Sequence, residues 1–211
     1  LVKRLISKED DMNPKFYTLP EEKQERIIRA AYEVFAKCGY KKASMSEIAS
    51  AGEISKSLLF HYFRNKKELY LYLWKKVNSV SVRIETEYCT ETEDFLEMIW
   101  QKVLARGAFM RRYPMVYLFS IRALLEEERE IQECVRIDYE AGYCRVLDEM
   151  MEKADCTKFR PGIDVRLLCQ QIDWIMMTYL RPMVFTGKLE PEQFEKDFRK
   201  MIEQWKIAYT R

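Results

Sequence analysis

Histidine is nearly missing from this chain: His61 is the single one among 211 residues. A histidine-rich metal site is thereby excluded. Glycine and proline are scarce, six of each, while Glu, Lys, Leu and Met abound, which favours helix over sheet. No apolar run approaches the ~18 residues of a membrane span, and no charged-then-apolar signal segment opens the chain, so no membrane partner is expected. The six cysteines, at 38, 89, 134, 144, 156 and 169, include no C-x-x-C pair. They are expected as reduced, mostly buried thiols of a cytoplasmic protein. A nucleophile–base pair, a metal-ligand cluster and a phosphate-binding loop are all lacking, so no catalytic residue, metal or cofactor is expected.

What is present is ordinary in amount and informative in arrangement. The chain is 48% hydrophobic and 33% charged, long enough for one large domain or two small ones around a real core. The net charge of +2 conceals a partition. Residues 1–80 carry 16 Lys and Arg against 10 Asp and Glu, or +6; residues 81–211 carry 20 against 24, or −4. A basic N-terminal part is what a phosphate-binding surface requires.

Apolar residues recur at helical spacing throughout, and no strand-like alternation occurs. The pattern predicts an all-α protein. Thr18-Leu19-Pro20-Glu21 starts a first helix, whose stripe of Ile27, Ala31, Val34, Phe35 and Cys38 ends at Gly39. Ser44 to Phe63 then reads as two short helices across a break at Gly52-Glu53-Ile54, with Ser44 capping the first and Ser55 the second. A short helix, a glycine-containing turn and a second short helix suggest a helix-turn-helix, or else a plain helical hairpin. Asn65 begins a long fourth helix reaching about Tyr88. Further helices are expected at 92–112, 115–125, 127–154 and 163–187, with Glu126, Glu127 and Glu128 in a first turn. The last of these should kink at Pro182, and a final helix follows it.

The residues from Gln24 to Ala31, Phe35 to Tyr40, Ser44 to Ala49, Ile54 to Phe63 and Asn65 to Leu69 match, in order and spacing, the TetR family of bacterial transcriptional regulators. The resemblance covers roughly residues 20–72. Where the family has glycine before the hydrophobic residue and serine of the turn, this chain has Glu53. Phe60 stands where tyrosine is common, and His61-Tyr62 reverses a frequent order. The resemblance implies an N-terminal three-helix helix-turn-helix head on a C-terminal helical bundle that binds an effector and dimerises. Three segments follow: a tail or arm at 1–17, the DNA-binding domain at 18–64, and the effector-binding and dimerisation domain at 65–211. Lys3, Arg4, Lys8 and Lys15 would let the tail reach a minor groove, whereas Glu9, Asp10 and Asp11 oppose this.

For DNA, the candidates are Ser55, Lys56 and Ser57 at the start of the recognition helix, His61 and Tyr62 further along, and Ser44 and Lys66 at neighbouring helix N-termini. Leu59, Phe60 and Phe63 are assigned to the head's core. For an effector, an apolar pocket with a few polar anchors is expected from Trp100, Phe109, Met110, Tyr113, Arg122, Tyr139, Tyr143, Trp174 and Met177. Plain core packing is the alternative for each. For the dimer, the resemblance implies a four-helix interface, to which we assign Val165, Leu168, Ile172, Met176, Phe194, Phe198, Met201 and Trp205.

The expected function is a homodimeric, ligand-responsive transcriptional regulator. It would be a repressor leaving a palindromic operator in double-stranded DNA when a small apolar or aromatic effector pulls on the fourth helix. Two alternatives stand beside it: an architectural or cell-division factor of the same fold without effector, and an all-α enzyme.

Overall fold

A computed structural model describes residues 14–211; the expectations placed on Lys3, Arg4, Lys8 and the acids at 9–11 lie outside the described residues. Nine α-helices make up the described chain: α1 (Glu21–Lys42), α2 (Met45–Ala51), α3 (Lys56–Tyr62), α4 (Lys66–Tyr88), α5 (Phe95–Arg112), α6 (Pro114–Leu124), α7 (Arg129–Lys153), α8 (Val165–Thr186) and α9 (Pro191–Tyr209). The all-α architecture is as the periodicity predicts. No described helix is long and apolar enough to cross a membrane.

Helix ends follow side-chain chemistry. Ser44, Ser55, Asn65, Asp94 and Asp164 each cap the following helix by accepting a backbone N–H that has no intrahelical partner. Two expectations are corrected. Glu126–Glu128 precede α7 instead of forming its first turn; Glu126 accepts from the Tyr40 N–H and Glu128 pairs with Lys41. Gly39 does not end α1. At φ 72 and ψ 172 it breaks the helical path, and the chain then runs one further turn to Lys42. Past Pro182, α8 continues to Thr186 and stops at Gly187, which takes the left-handed conformation at φ 68.

The head is α1 to α3, with a residue from ahead of it. Phe16, expected in the tail, is fully buried, its ring 5.5 Å from Tyr62, 5.2 Å from Phe63 and 6.2 Å from Tyr72. Below the head, α4 enters a bundle whose main seams are α4 on α5, α5 on α9 and α6 on α8. Gly107 lets α5 and α9 meet: a Cβ there would stand 1.9 Å from Glu195 Oε1. All six cysteines are free, and Cys89, Cys144 and Cys156 are exposed, so the mostly buried set expected from sequence does not form.

The joint between head and bundle is aromatic and buried. Phe119 of α6 packs 5.2 Å from Tyr32 and 4.8 Å from Tyr70, with Phe35 4.9 Å from Tyr70. Tyr32 donates its hydroxyl to Leu73 O at 2.9 Å, fixing α1 on α4. Since Phe16 completes the head's core, Phe16→Ala should lower stability by about 3–5 kcal/mol in urea unfolding. A loss below about 1 kcal/mol would place residue 16 outside that core.

Candidate nucleic-acid interface and effector region

The turn between α2 and α3 solves two steric problems with two residues. Gly52 lies against α1, where a Cβ would be 3.2 Å from Ile48 O and 3.4 Å from the Ile27 Cα. Glu53 takes the left-handed conformation at φ 54, unusual for a residue with a Cβ. Arg26 holds both, pairing with the Glu53 carboxylate at 3.1 Å and donating to Gly52 O at 3.3 Å. Close approach therefore needs glycine at 52, and a side-chain contact offsets the strain at 53.

Across this turn α3 presents Ser55, Lys56, Ser57 and His61, all exposed. Ser55 Oγ accepts from Leu58 N–H at 3.1 Å and lies 3.0 Å from Ser57 Oγ. Lys56 Nζ stands 6.0 Å from the Phe60 ring. Phe60, assigned to the head's core from sequence, is 38% exposed on this same face, whereas Leu59 and Phe63 are fully buried. Ser44 is exposed and accepts from Ser46 N–H at 3.2 Å. Tyr62 faces inward, its ring buried against Phe16. Lys66 is occupied: Nζ donates to Tyr40 O at 2.7 Å, Ala43 O at 3.1 Å and Lys41 O at 3.3 Å, and lies 4.5 Å from the Tyr40 ring. All three ammonium protons thus close the end of α1.

The broken step in α1 is repaired from the bundle. An unbroken helix would pair Tyr40 N–H with Ala36 O. Instead Tyr40 N–H donates to Glu126 Oε2 at 3.0 Å, and Ala36 O accepts from Arg122 Nε at 2.8 Å. Arg122 also donates to Val184 O at 3.0 Å, near the end of α8. Tyr40 hydroxyl donates to Glu130 at 2.9 Å, and Lys41 pairs with Glu128 at 3.2 Å. These carboxylates, with burial first, push the Tyr40 hydroxyl well above its usual range. Arg122, expected among the polar anchors of the effector pocket, is thus a bridge joining α1, α6 and α8.

The remaining effector candidates divide. A cleft of about 160 Å3 between the end of α6, α7 and α8 is lined by Ala123, Leu124, Gln132, Val135, Arg136, Tyr139 and Met177. Room of that size takes one benzene-like ring. Tyr143 stacks 6.4 Å from Tyr139, whose hydroxyl donates to Asp173 at 2.8 Å. Phe109 and Met110 are buried, Phe109 packing 5.3 Å from Tyr117. Three candidates lie apart. Trp100 stacks under Arg199 of α9, Tyr113 accepts from Arg83, and Trp174 is 57% exposed on α8. Sequence reasoning missed Arg106 and Asp173, which bring charge into this interior between α5, α6, α7 and α8.

The dimer candidates are also placed. Val165, Leu168, Ile172, Met176, Phe194 and Phe198 are buried inside the single chain, and Met201 and Trp205 are half-buried. A second copy cannot cover what the monomer already encloses. The exposed apolar residues of α8 are Leu167 at 45%, Trp174, Ile175 and Phe185 at 71%.

Residues 27–73 match the model of the bacterial regulatory proteins of the tetR family. The fatty acid metabolism regulator protein of Bacillus subtilis is 28% identical over 155 residues, spanning 71% of this chain and 77% of its own length. A TetR family transcriptional regulator from Chloroflexus aurantiacus superimposes with a TM-score of 0.73 at 17% identity, covering 95% of this chain and 99% of its own. The transcriptional regulator FadR from Bacillus subtilis, in complex with stearoyl-CoA, gives a TM-score of 0.68 at 20% identity over 84% of this chain and 96% of its own.

The bridge at Gly39 has a direct test. Arg122→Met keeps the stem but leaves Ala36 O and Val184 O without their donor, which should cost about 1–3 kcal/mol for each carbonyl left dry. Thermal unfolding of the variant should show the loss. An unchanged midpoint would mean that neither hydrogen bond matters to the joint.

Proposed function

Given that the chain belongs to the TetR family of bacterial regulatory proteins, we propose that it is a homodimeric transcriptional repressor, released from a palindromic operator by an apolar effector of acyl type. The observation carrying this reading is the coupling at the joint. The recognition head is hydrogen-bonded through Ala36 and Tyr40 to Arg122 and Glu126, and Ala123 and Leu124, beside Arg122, line the cleft. A ligand that widens the cleft moves the end of α6, and α6 holds α1. Such a ligand shifts the head because it binds the two arrangements with different affinity.

The effector class is supported by the relatives: one carries fatty acid metabolism in its name, and another is bound to stearoyl-CoA. A long acyl chain needs more room than one ring, so a wall must part. The wall suited to this is α7, which buries only Ile131, Val135, Leu147 and Met150 of its 25 residues.

For DNA the proposed contacts are Lys56 and Ser57 toward bases, with Ser44, Ser55 and His61 toward the backbone. Phe60 adds apolar surface beside Lys56. Tyr62 and Lys66 serve the head's structure. For the dimer, a second copy is proposed on the outer face of α8, where Leu167, Trp174, Thr178 and Phe185 recur at spacings that keep one side of a helix. Large apolar side chains left this exposed mark an interaction surface.

Selection from random DNA should return a two-fold symmetric site with half-sites about 34–36 Å apart or a multiple of that. Stearoyl-CoA should release the protein from it; a complex indifferent to long-chain acyl-CoA would leave a DNA-binding factor without this effector. Lys56→Ala should weaken the selected site by roughly 1–3 kcal/mol, and unchanged affinity would overturn the base contact.

The two sides of α8 give opposite outcomes. Trp174→Glu should yield folded monomers in sedimentation. Phe198→Glu, placing a charge in the monomer's interior, should unfold the chain. A Trp174→Glu protein that stays dimeric would move the interface elsewhere.

A further inference from the structure

The helix α3 leaves one large ring outside the core of the head. Leu59, Tyr62 and the following Phe63 face inward and are buried. Lys56, Ser57, Phe60 and His61 share the opposite, exposed side, as residues i, i+1, i+4 and i+5 of a helix do. Phe16, Tyr62 and Phe63 lock together in the core, with ring centroids 5.2 to 5.5 Å apart, and Phe60 takes no part in that packing. Its neighbour one turn back does not cover it either. The Lys56 ammonium stands 6.0 Å from the Phe60 centroid, at the outer limit of a cation–π contact.

A single ring among a lysine, a serine and a histidine is a poor surface for a protein partner, which needs a contiguous apolar patch. It suits a surface where one small apolar group stands among hydrogen-bond acceptors. The major groove of DNA is such a surface: its floor carries purine N7 and O6 acceptors, and thymine adds a 5-methyl group. The phosphate backbone offers the ring nothing comparable, because a phenyl group has no proton to donate. Ring on methyl removes apolar surface of both from water. The spacing along α3 also sets a register. Lys56 and Phe60 are four residues apart, about 6 Å along the helix axis. Base pairs rise by about 3.4 Å, so the two side chains reach bases about two pairs apart.

We propose that Phe60 is a specificity-determining residue of the recognition helix, reading a thymine by packing its ring on the 5-methyl group, one or two base pairs from the base contacted by Lys56. This assignment rests on the DNA-binding reading above and adds to it a named base, a named atom on that base and a distance from the lysine contact. The contact is apolar, so it discriminates by presence or absence of the methyl group and adds no counterion release.

The test titrates the full-length protein onto its selected site and follows fluorescence anisotropy of the labelled DNA. Each thymine is replaced in turn by deoxyuridine, in both half-sites, which removes the methyl group and keeps the base pair. At one thymine, one or two pairs from the position that Lys56→Ala no longer reads, wild type should lose about fourfold in affinity per methyl removed. Phe60→Ala should bind the unmodified site more weakly by the same factor and no longer distinguish thymine from uracil there. The ring is outside the core, so the variant should melt with wild type. Phe60→Gln is a second variant, and selection repeated with it should return a site without that thymine preference. Wild-type binding indifferent to every replacement overturns the methyl contact and leaves the DNA reading intact. So does a Phe60→Ala protein that keeps the discrimination, including one whose sedimentation changes instead, which assigns the ring to a protein contact. Failure of wild type to select any DNA overturns both.

Discussion

The first helix lacks one hydrogen bond, and the arrangement of the molecule depends on how it is replaced. At Gly39 the backbone leaves the helical path, freeing a carbonyl at Ala36 and an amide at Tyr40. Arg122, in the last turn of α6, and Glu126, just past its end, supply the donor and the acceptor that the helix has lost. A regular α1 would need nothing from the bundle at this point. The broken one joins the head to a specific pair of charges, and through Arg122 to the carbonyl of Val184 as well. Gly39 is suited to the break because φ 72 favours a residue without a Cβ.

Around this exchange the packing is stiff. The rings of Tyr32, Phe35, Tyr70 and Phe119 interlock from three helices; the Tyr32–Phe119 and Phe35–Tyr70 pairs meet edge to face, a geometry that contributes about 0.5–1.5 kcal/mol each beyond burial, while Tyr70 and Phe119 meet at a tilt. Lys66 closes the last turn of α1 from the start of α4. Head and bundle thus meet through rigid parts on the α1–α4–α6 side, whereas the α7 side is thinly held. A response to a ligand is expected to arise on the soft side and to be transmitted through the stiff one. That differs from a simple pull on α4, which the sequence led us to expect.

Much of the head could be read from residue order. Helix caps at Ser44, Ser55 and Asn65, and the spacing of Ile48, Leu59 and Phe63, are local signals, and local signals survive folding. What failed was orientation. The apolar faces of α8 and α9 are wide, and periodicity cannot say which part faces the monomer's core and which faces a partner; the most regular stripe, through Leu168, Ile172 and Met176, faces inward. Arg122 is the one charged residue of α6, but its partners lie 86 and 62 residues away. Arg106 had a comparable signal, a single charge inside the apolar run from Val103 to Met110, which was overlooked. Lys66 looks like a phosphate ligand because it starts a helix, and no sequence pattern reveals that the carbonyls of Tyr40, Lys41 and Ala43 already claim it. Phe16 was lost to the tail because a single aromatic among polar residues has no period.

The sparse burial of α7 has a consequence for how the chain comes apart. Its four inward residues sit at 131, 135, 147 and 150, leaving a central span from 136 to 146 without a fully buried side chain. Along that span and the turn before it, the helix is braced by its own neighbours, with Arg129 on Glu133 at 2.8 Å and Arg136 on Glu140 at 3.2 Å. An element so little invested in the common core opens at a lower free energy than the molecule as a whole. Its backbone amides are therefore expected to exchange with solvent deuterium through a sub-global opening, ahead of those of α1 and α6.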